Sequence, residues 1–164
     1  MDVTDLYYAG EAFIGYSAQL KVGQADSPET FVAVADVMSI TPGDMTTGII
    51  NKTHLRSPGR AHEKMATLRD IGPFSLSGNY RPGHGSHSTA GGDGFASTQS
   101  LVNLWRNVTK NNFIIEVTDA SGNVIELPFR GVVSKYQIGQ IGLDTKVDFT
   151  ADIQPLSDWT ASLP

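Results

Sequence analysis

The sequence predicts a mainly β fold: a small β-sandwich or barrel with one flanking α-helix and a long inter-strand loop. Three observations carry that prediction. Several short segments alternate apolar and polar residues with a period of two, the pattern of half-buried strands. One segment, 98–108, has helical spacing instead. The length of 164 residues, with 40% hydrophobic and 18% charged content, fits one domain with a real core. Residues 1–164 are therefore read as a single domain, with 1–15 and 156–164 as candidate extended arms.

The elements follow in order. In Ser17–Val22, Ala18, Leu20 and Val22 alternate with Ser17, Gln19 and Lys21. After a turn-rich stretch, Phe31–Ile40 is rich in β-branched residues and reads as one bent strand or two short ones, because Asp36 interrupts it. Pro42-Gly43-Asp44 breaks the chain, and Thr46–Asn51 extends again. Residues 52–72 have sparse apolar residues without a sustained period and a Ser57-Pro58-Gly59 turn. They read as a long connection, with a short helix over 61–68 at most. Phe74, Leu76 and Tyr80 alternate with Ser75, Ser77 and Asn79. A glycine-rich stretch, RPGHGSHSTAGGDG (81–94), follows. Ser97 or Thr98 is placed to cap a helix of about three turns whose apolar positions are Leu101, Leu104, Trp105 and Val108. Phe113, Ile115 and Val117 mark a strand face, and DASGN (119–123) a hairpin turn. The returning strand, 124–137, contains Pro128, which points to an edge or a bulge. Val147, Phe149, Ala151 and Ile153 then alternate to Pro155.

The chemistry-bearing residues do not converge. The chain has no cysteine, which excludes disulfides, thiolate metal sites and cysteine nucleophiles. No glycine-lysine-hydroxyl sequence makes a P-loop, and Gly83-His84-Gly85 is followed by Ser88 where a dinucleotide turn needs its third glycine. His84 and His87, with Asp93 nearby, have the spacing of a metal clip. Their five neighbouring glycines argue against the rigid framework a metal needs, so 81–94 reads as an exposed, solvated loop. No serine sits in a nucleophile elbow. No cofactor, metal or enzymatic activity is expected. Phe74, Tyr80, Trp105, Phe113, Phe129 and Phe149 fall on apolar faces and read as core, whereas Trp159 follows the last strand. No apolar run approaches the roughly 20 residues that span a bilayer, and the N-terminal residues show no secretory pattern. No membrane partner is expected. The sequons at Asn51 and Asn107 are discounted accordingly.

Charge is more informative. The net charge is −5. Residues 1–50 hold seven acids against Lys21 alone, while 51–70 hold Lys52, Arg56, Arg60, Lys64 and Arg69 against Glu63 and Asp70. A short basic segment in an acidic protein seeks phosphates or the acidic surface of another copy. Asp144, Asp148 and Asp152 share the parity of one strand face, either plainly solvated or turned toward a negative partner.

Four stretches in order resemble the tail tube proteins of long-tailed bacteriophages. They are FVAVADVMSITPGD (31–44), HLRSPGRAHEKMATLRDIGPFSLSGNY (54–80), the helix 98–108 with its following strand and hairpin, and FRGVVSKYQIGQIGLDTKVDFTADIQP (129–155). The resemblance implies a β-sandwich with a flanking helix, assembled as homohexameric rings stacked into a hollow virion tail tube. It makes 48–72 a loop that orders against neighbouring subunits, with Lys52, Arg56, Arg60, Lys64, Arg69 and Asp70 as its inter-subunit contacts. Asp144, Asp148 and Asp152 become a surface facing the lumen or a neighbour. DNA would pass through the lumen without specific binding. The other partners implied are the tape measure, tail terminator and distal tail proteins, and assembly would take place in the host bacterial cytoplasm. A tube subunit of a phage-derived or type VI-like injection device, or a β-sandwich ligand-binding module, are the alternatives.

Overall fold

Strand formation follows the alternation along the chain. The structure, a computed structural model, describes residues 17–25, 28–54, 59, 62–119 and 121–156. Strand β1 (Ser17–Gly23) buries Leu20 and Val22 completely. Asp36 adopts a left-handed backbone (φ 51°), so the next segment divides into β2 (Phe31–Ala33) and β3 (Val37–Thr41). Then come β4 (Met45–Asn51), β5 (Lys64–Ile71) and β6 (Phe74–Asn79). A 3₁₀ turn, Ser97–Gln99, leads into α1 (Leu101–Asn107). Strands β7 (Asn111–Thr118), β8 (Val124–Ile138) and β9 (Asp148–Pro155) complete the order. The β7–β8 turn is held by the Asp119 carboxylate, which accepts from the Ser121 and Asn123 amides, each at 2.8 Å.

Seven strands form one antiparallel sheet in the order β2-β1-β7-β8-β9-β6-β3. Its edge strands are consecutive in the chain, joined only by residues 34–36. A flat sheet would hold those edges about 29 Å apart, six strand spacings. The connection reaches about 14 Å at full extension. The sheet therefore curls on itself, bringing β3 against β1, and the expected sandwich or barrel is a curled, barrel-like sheet. Helix α1 packs on β8. The inward residues form one core, with Phe129 stacked on Phe74 (4.5 Å between ring centres) and on Phe113 (5.5 Å). Pro128 lies where β8 pairs with β7 alone, because β9 ends at Pro155 opposite Gly131. That stretch is a local edge, which tolerates a residue without an N–H.

Four expectations change. Lys64–Ile71 is a strand, not loop or helix: it pairs antiparallel with β4 in a separate two-stranded ribbon. The helix cap is Ser100, whose side chain accepts from the Asn103 amide, because Ser97 and Thr98 lie in the preceding 3₁₀ turn. The helix buries Leu101 and Leu104 but leaves Trp105 45% and Val108 71% exposed. Its two turns on β8 cover only one narrow stripe. Finally, 81–94 is not a solvated loop throughout. Gly85, Ser86 and His87 are buried, and a Cβ on Gly85 would lie 1.7 Å from the Gly92 carbonyl oxygen, so glycine permits the packing.

Candidate functional site

The β4–β5 ribbon is the least covered part of the described structure, with every residue of β4 exposed and all of β5 except Ile71. It leaves the body through a narrow neck. A Cβ on Gly43 would lie 2.1 Å from the Gly72 carbonyl oxygen, so only glycine at 43 lets the two segments of the neck approach this closely. The Gly72 amide donates to the Asp44 carbonyl (2.8 Å), and the Gln154 side chain donates to the Ile71 carbonyl (2.7 Å), fixing the neck to the end of β9.

Register assigns the ribbon's two faces, because residues directly opposite share a face and alternate residues repeat it. Thr47 opposes Arg69 and Asn51 opposes Lys64, so both bases project with Met45 and Ile49. Thr46 opposes Asp70 and Ile50 opposes Met65, so the other face carries Asp70, Ile50 and Met65. Both faces thus combine bare apolar side chains with charge, and Leu68 is 88% exposed at the irregular step of the register. Among the described residues Lys64, Arg69 and Asp70 form no ion pair. Lys52 stands 3.9 Å from Glu63, which is also 4.0 Å from His54. Arg56 and Arg60 lie outside the described residues, as do Trp159 and both candidate arms.

The acidic candidates separate. Asp148 and Asp152 point away from the core along β9 with Thr150, since Phe149, Ala151 and Ile153 point in. Across the sheet Asp152 opposes Ser75 and Thr150 opposes Ser77, whose hydroxyl bonds that of Ser39 at 2.5 Å. This outward face mixes small hydroxyls and carboxylates with Asn79 opposite Asp148, Lys135 opposite Asp152 and the exposed Met38 of β3. Asp148 has Lys146 at 3.5 Å. Asp144 is not on the face: it sits before β9 in a left-handed turn (φ 58°).

The glycine-rich stretch is a packed tie. The His87 ring lies 4.4 Å from Phe149 and 5.6 Å from Tyr80, and its Nδ1 is 2.7 Å from the Tyr136 hydroxyl. Ser86 receives the Leu101 amide on its carbonyl (2.9 Å), and its hydroxyl accepts from the Ala35 amide (3.4 Å). Burial lowers the His87 pKa to about 4, and neighbouring His84 pushes the same way against the Ala35 carbonyl and the Asp36 carboxylate. Burial also raises the Tyr136 pKa, so its hydroxyl stays protonated. His84 turns its Nδ1 to the Ser86 hydroxyl (2.9 Å), and the Asp93 carboxylate accepts from the Gly85 amide (3.1 Å). The three side chains of the suspected clip thus serve loop packing. No group of three or more metal-ligating side chains converges among the described residues. Among those residues, too, no helix is long and apolar enough to cross a membrane.

Sequence reasoning missed two exposed apolar features. Trp105 and Val108 match core spacing on a helix, and nothing in that spacing reveals that α1 buries only its other side. Ile141 and Leu143 in the β8–β9 loop are also bare. Apolar residues isolated on either side of Gly142 were the available signal for those two.

Solved structures share this fold. A chain of the anti-feeding prophage (AFP) baseplate superposes with a TM-score of 0.63 at 9% identity, covering 93% of this chain and 97% of that one. A chain of the native gene transfer agent (GTA) virion gives 0.58 at 13% identity, covering 92% and 99%. The SPP1 tail tube chain gives 0.59 at 8% identity, covering 93% and 80%. No curated protein sequence matches. The family model described as "Lambda phage tail tube protein, TTP" matches residues 16–154, a range that takes in every strand from β1 to all but the last residue of β9. The chain belongs to the lambda phage tail tube protein family and is a structural, non-enzymatic component of the phage tail.

Proposed function

We propose that this chain assembles into homohexameric rings that stack into a hollow tail tube through which DNA passes. The observation that carries the reading is the bare ribbon. A lone two-stranded ribbon is marginal in water, yet this one holds Met45, Ile49, Ile50, Met65 and Leu68 in solvent. Covering both its faces requires two surfaces outside its own body. The edges β2 and β3 also carry backbone groups that another chain can pair or cover. When unlike surfaces meet, the contact propagates: it closes into a ring if the rotation closes and continues as a filament otherwise.

In this reading the bases Lys52, Arg56, Arg60, Lys64 and Arg69 meet acidic surface on a neighbour, and Asp70 lies on the ribbon face opposite Lys64 and Arg69. The outward face of β3, β6 and β9 lines the lumen. Its carboxylates, Asp148 beside Lys146 and Asp152 across from Lys135, and its short hydroxyls leave it without a concentrated basic patch to hold phosphates, so DNA slides without specific binding. Asp144, lying off that face, is left to a neighbour contact. The ends of the tube meet other tail proteins, such as the tape measure, tail terminator and distal tail proteins, and assembly takes place in the host bacterial cytoplasm.

Electron microscopy of the concentrated, purified chain tests the reading. The expected result is rings or tubes of uniform width with six-fold symmetry. Reversing Lys64 and Arg69 together to glutamate should abolish them without altering the monomer's melting temperature. A chain that stays monomeric at high concentration overturns the proposal.

A further inference from the structure

We propose that residues 105–110, at the end of α1, form a docking site for the β8–β9 loop tip, residues 141–144, of a second copy of the chain. This deepens the tube reading and rests on it for the identity of the partner.

The first observation is Val108. It caps the helix in the left-handed conformation, φ 50° and ψ 45°. A β-branched side chain there is a genuine outlier, and glycine is the residue that ends a helix in this way without strain. Val108 is 71% exposed, so no packing within the monomer accounts for the choice. Trp105, one turn earlier and on the same side, is also exposed. Arg106 and Lys110 flank the pair, are exposed, and form no ion pair among the described residues. An apolar centre holding tryptophan, with arginine beside it, has the composition of an energetic hot spot between proteins.

The second observation is the surface that complements it. Ile141 is 78% and Leu143 96% exposed. Asp144 beside them is exposed and unpaired among the described residues. The tip therefore presents apolar side chains with a carboxylate, and the helix end presents apolar side chains with two bases.

The two surfaces do not meet within one copy. Asn111, just beyond the helix, pairs with Gly131 in the middle of β8. The loop leaves β8 after Ile138, seven residues further on, which is about 23 Å along a strand. The contact therefore joins unlike surfaces of two copies, the kind that builds rings and filaments.

The natural absence of cysteine makes the test clean. Copies carrying Val108→Cys are mixed with copies carrying Leu143→Cys and oxidised after assembly. A mixed disulfide should form in the mixture, and neither variant alone should cross-link. A second arm uses Val108→Gly. It relieves the left-handed strain, so the melting temperature should rise while association weakens by about tenfold, the effect of losing one good apolar contact. A purely structural Val108 would move the melting temperature alone, and that result overturns the proposal. Tubes that form without the mixed disulfide overturn this contact and leave the tube reading standing. A parent chain that never assembles overturns both.

Discussion

The loop 81–94 and the ribbon 45–71 exchange the roles their sequences suggest. The loop is glycine-rich and polar, yet it buries Ser86 and His87 and ties the start of the helix to β8 and to the β2–β3 connection. The described part of the ribbon contains two paired strands and five large apolar residues, yet those side chains stay exposed, and Gln154 holds it to the body at the neck. The difference lies in what each segment is built to contact. The loop is satisfied by distant strands of the same chain, and the ribbon awaits surfaces of another. Mutations should therefore separate cleanly, those in the body acting on folding and those in the ribbon on assembly.

The largest effect belongs to the body. Phe149→Ala removes a fully buried ring that also supports His87, and should destabilise the fold by about 3–5 kcal/mol in a denaturant melt. A loss under 1 kcal/mol would mean the core is less interlocked than its packing indicates. Next comes acid. His87 is neutral in the folded state down to about pH 4, whereas its ordinary value is 6.5. The unfolded chain therefore binds this proton first as pH falls, and stability present above pH 6.5 declines toward pH 4. The full contribution is on the order of 3 kcal/mol. His87→Gln should flatten that part of the pH profile. A smaller effect is expected at the helix start, where Ser100→Ala removes the cap and should lower stability by about 1 kcal/mol. Smallest of all, Leu68→Ala should leave monomer stability within about 0.5 kcal/mol, as at other surface sites, while reducing assembly. A melting temperature that drops with Leu68→Ala would place the ribbon in the body's own folding unit and erase the contrast.

What the sequence revealed depended on burial. Strands β1, β6, β7 and β9 each bury one face against the core, so alternation announced them. Asp36 marked the break between β2 and β3 because its left-handed backbone separates two strands that end up at opposite edges. Strand β5 was illegible because neither of its faces is buried and the register shifts along the ribbon, so its apolar residues follow no period of two. His87 looked solvated because its cage comes from Tyr80, Tyr136 and Phe149, none of which is its neighbour in sequence. Of the candidate site, Lys64, Arg69 and Asp70 were found by their charge alone, and their distribution over two faces emerged only with the register. Trp105 was misplaced in the core because helical spacing tells which residues share a side, not which side is covered.

The central claim is that the ribbon is an assembly element, and amide hydrogen exchange tests it most directly. Measured on the free chain and on assembled material, the amides of 45–51 and 64–71 should exchange quickly when free and become strongly protected on assembly. Those of β7 and the first half of β8 should be protected in both. Ribbon amides that exchange equally fast in the two states would contradict the account.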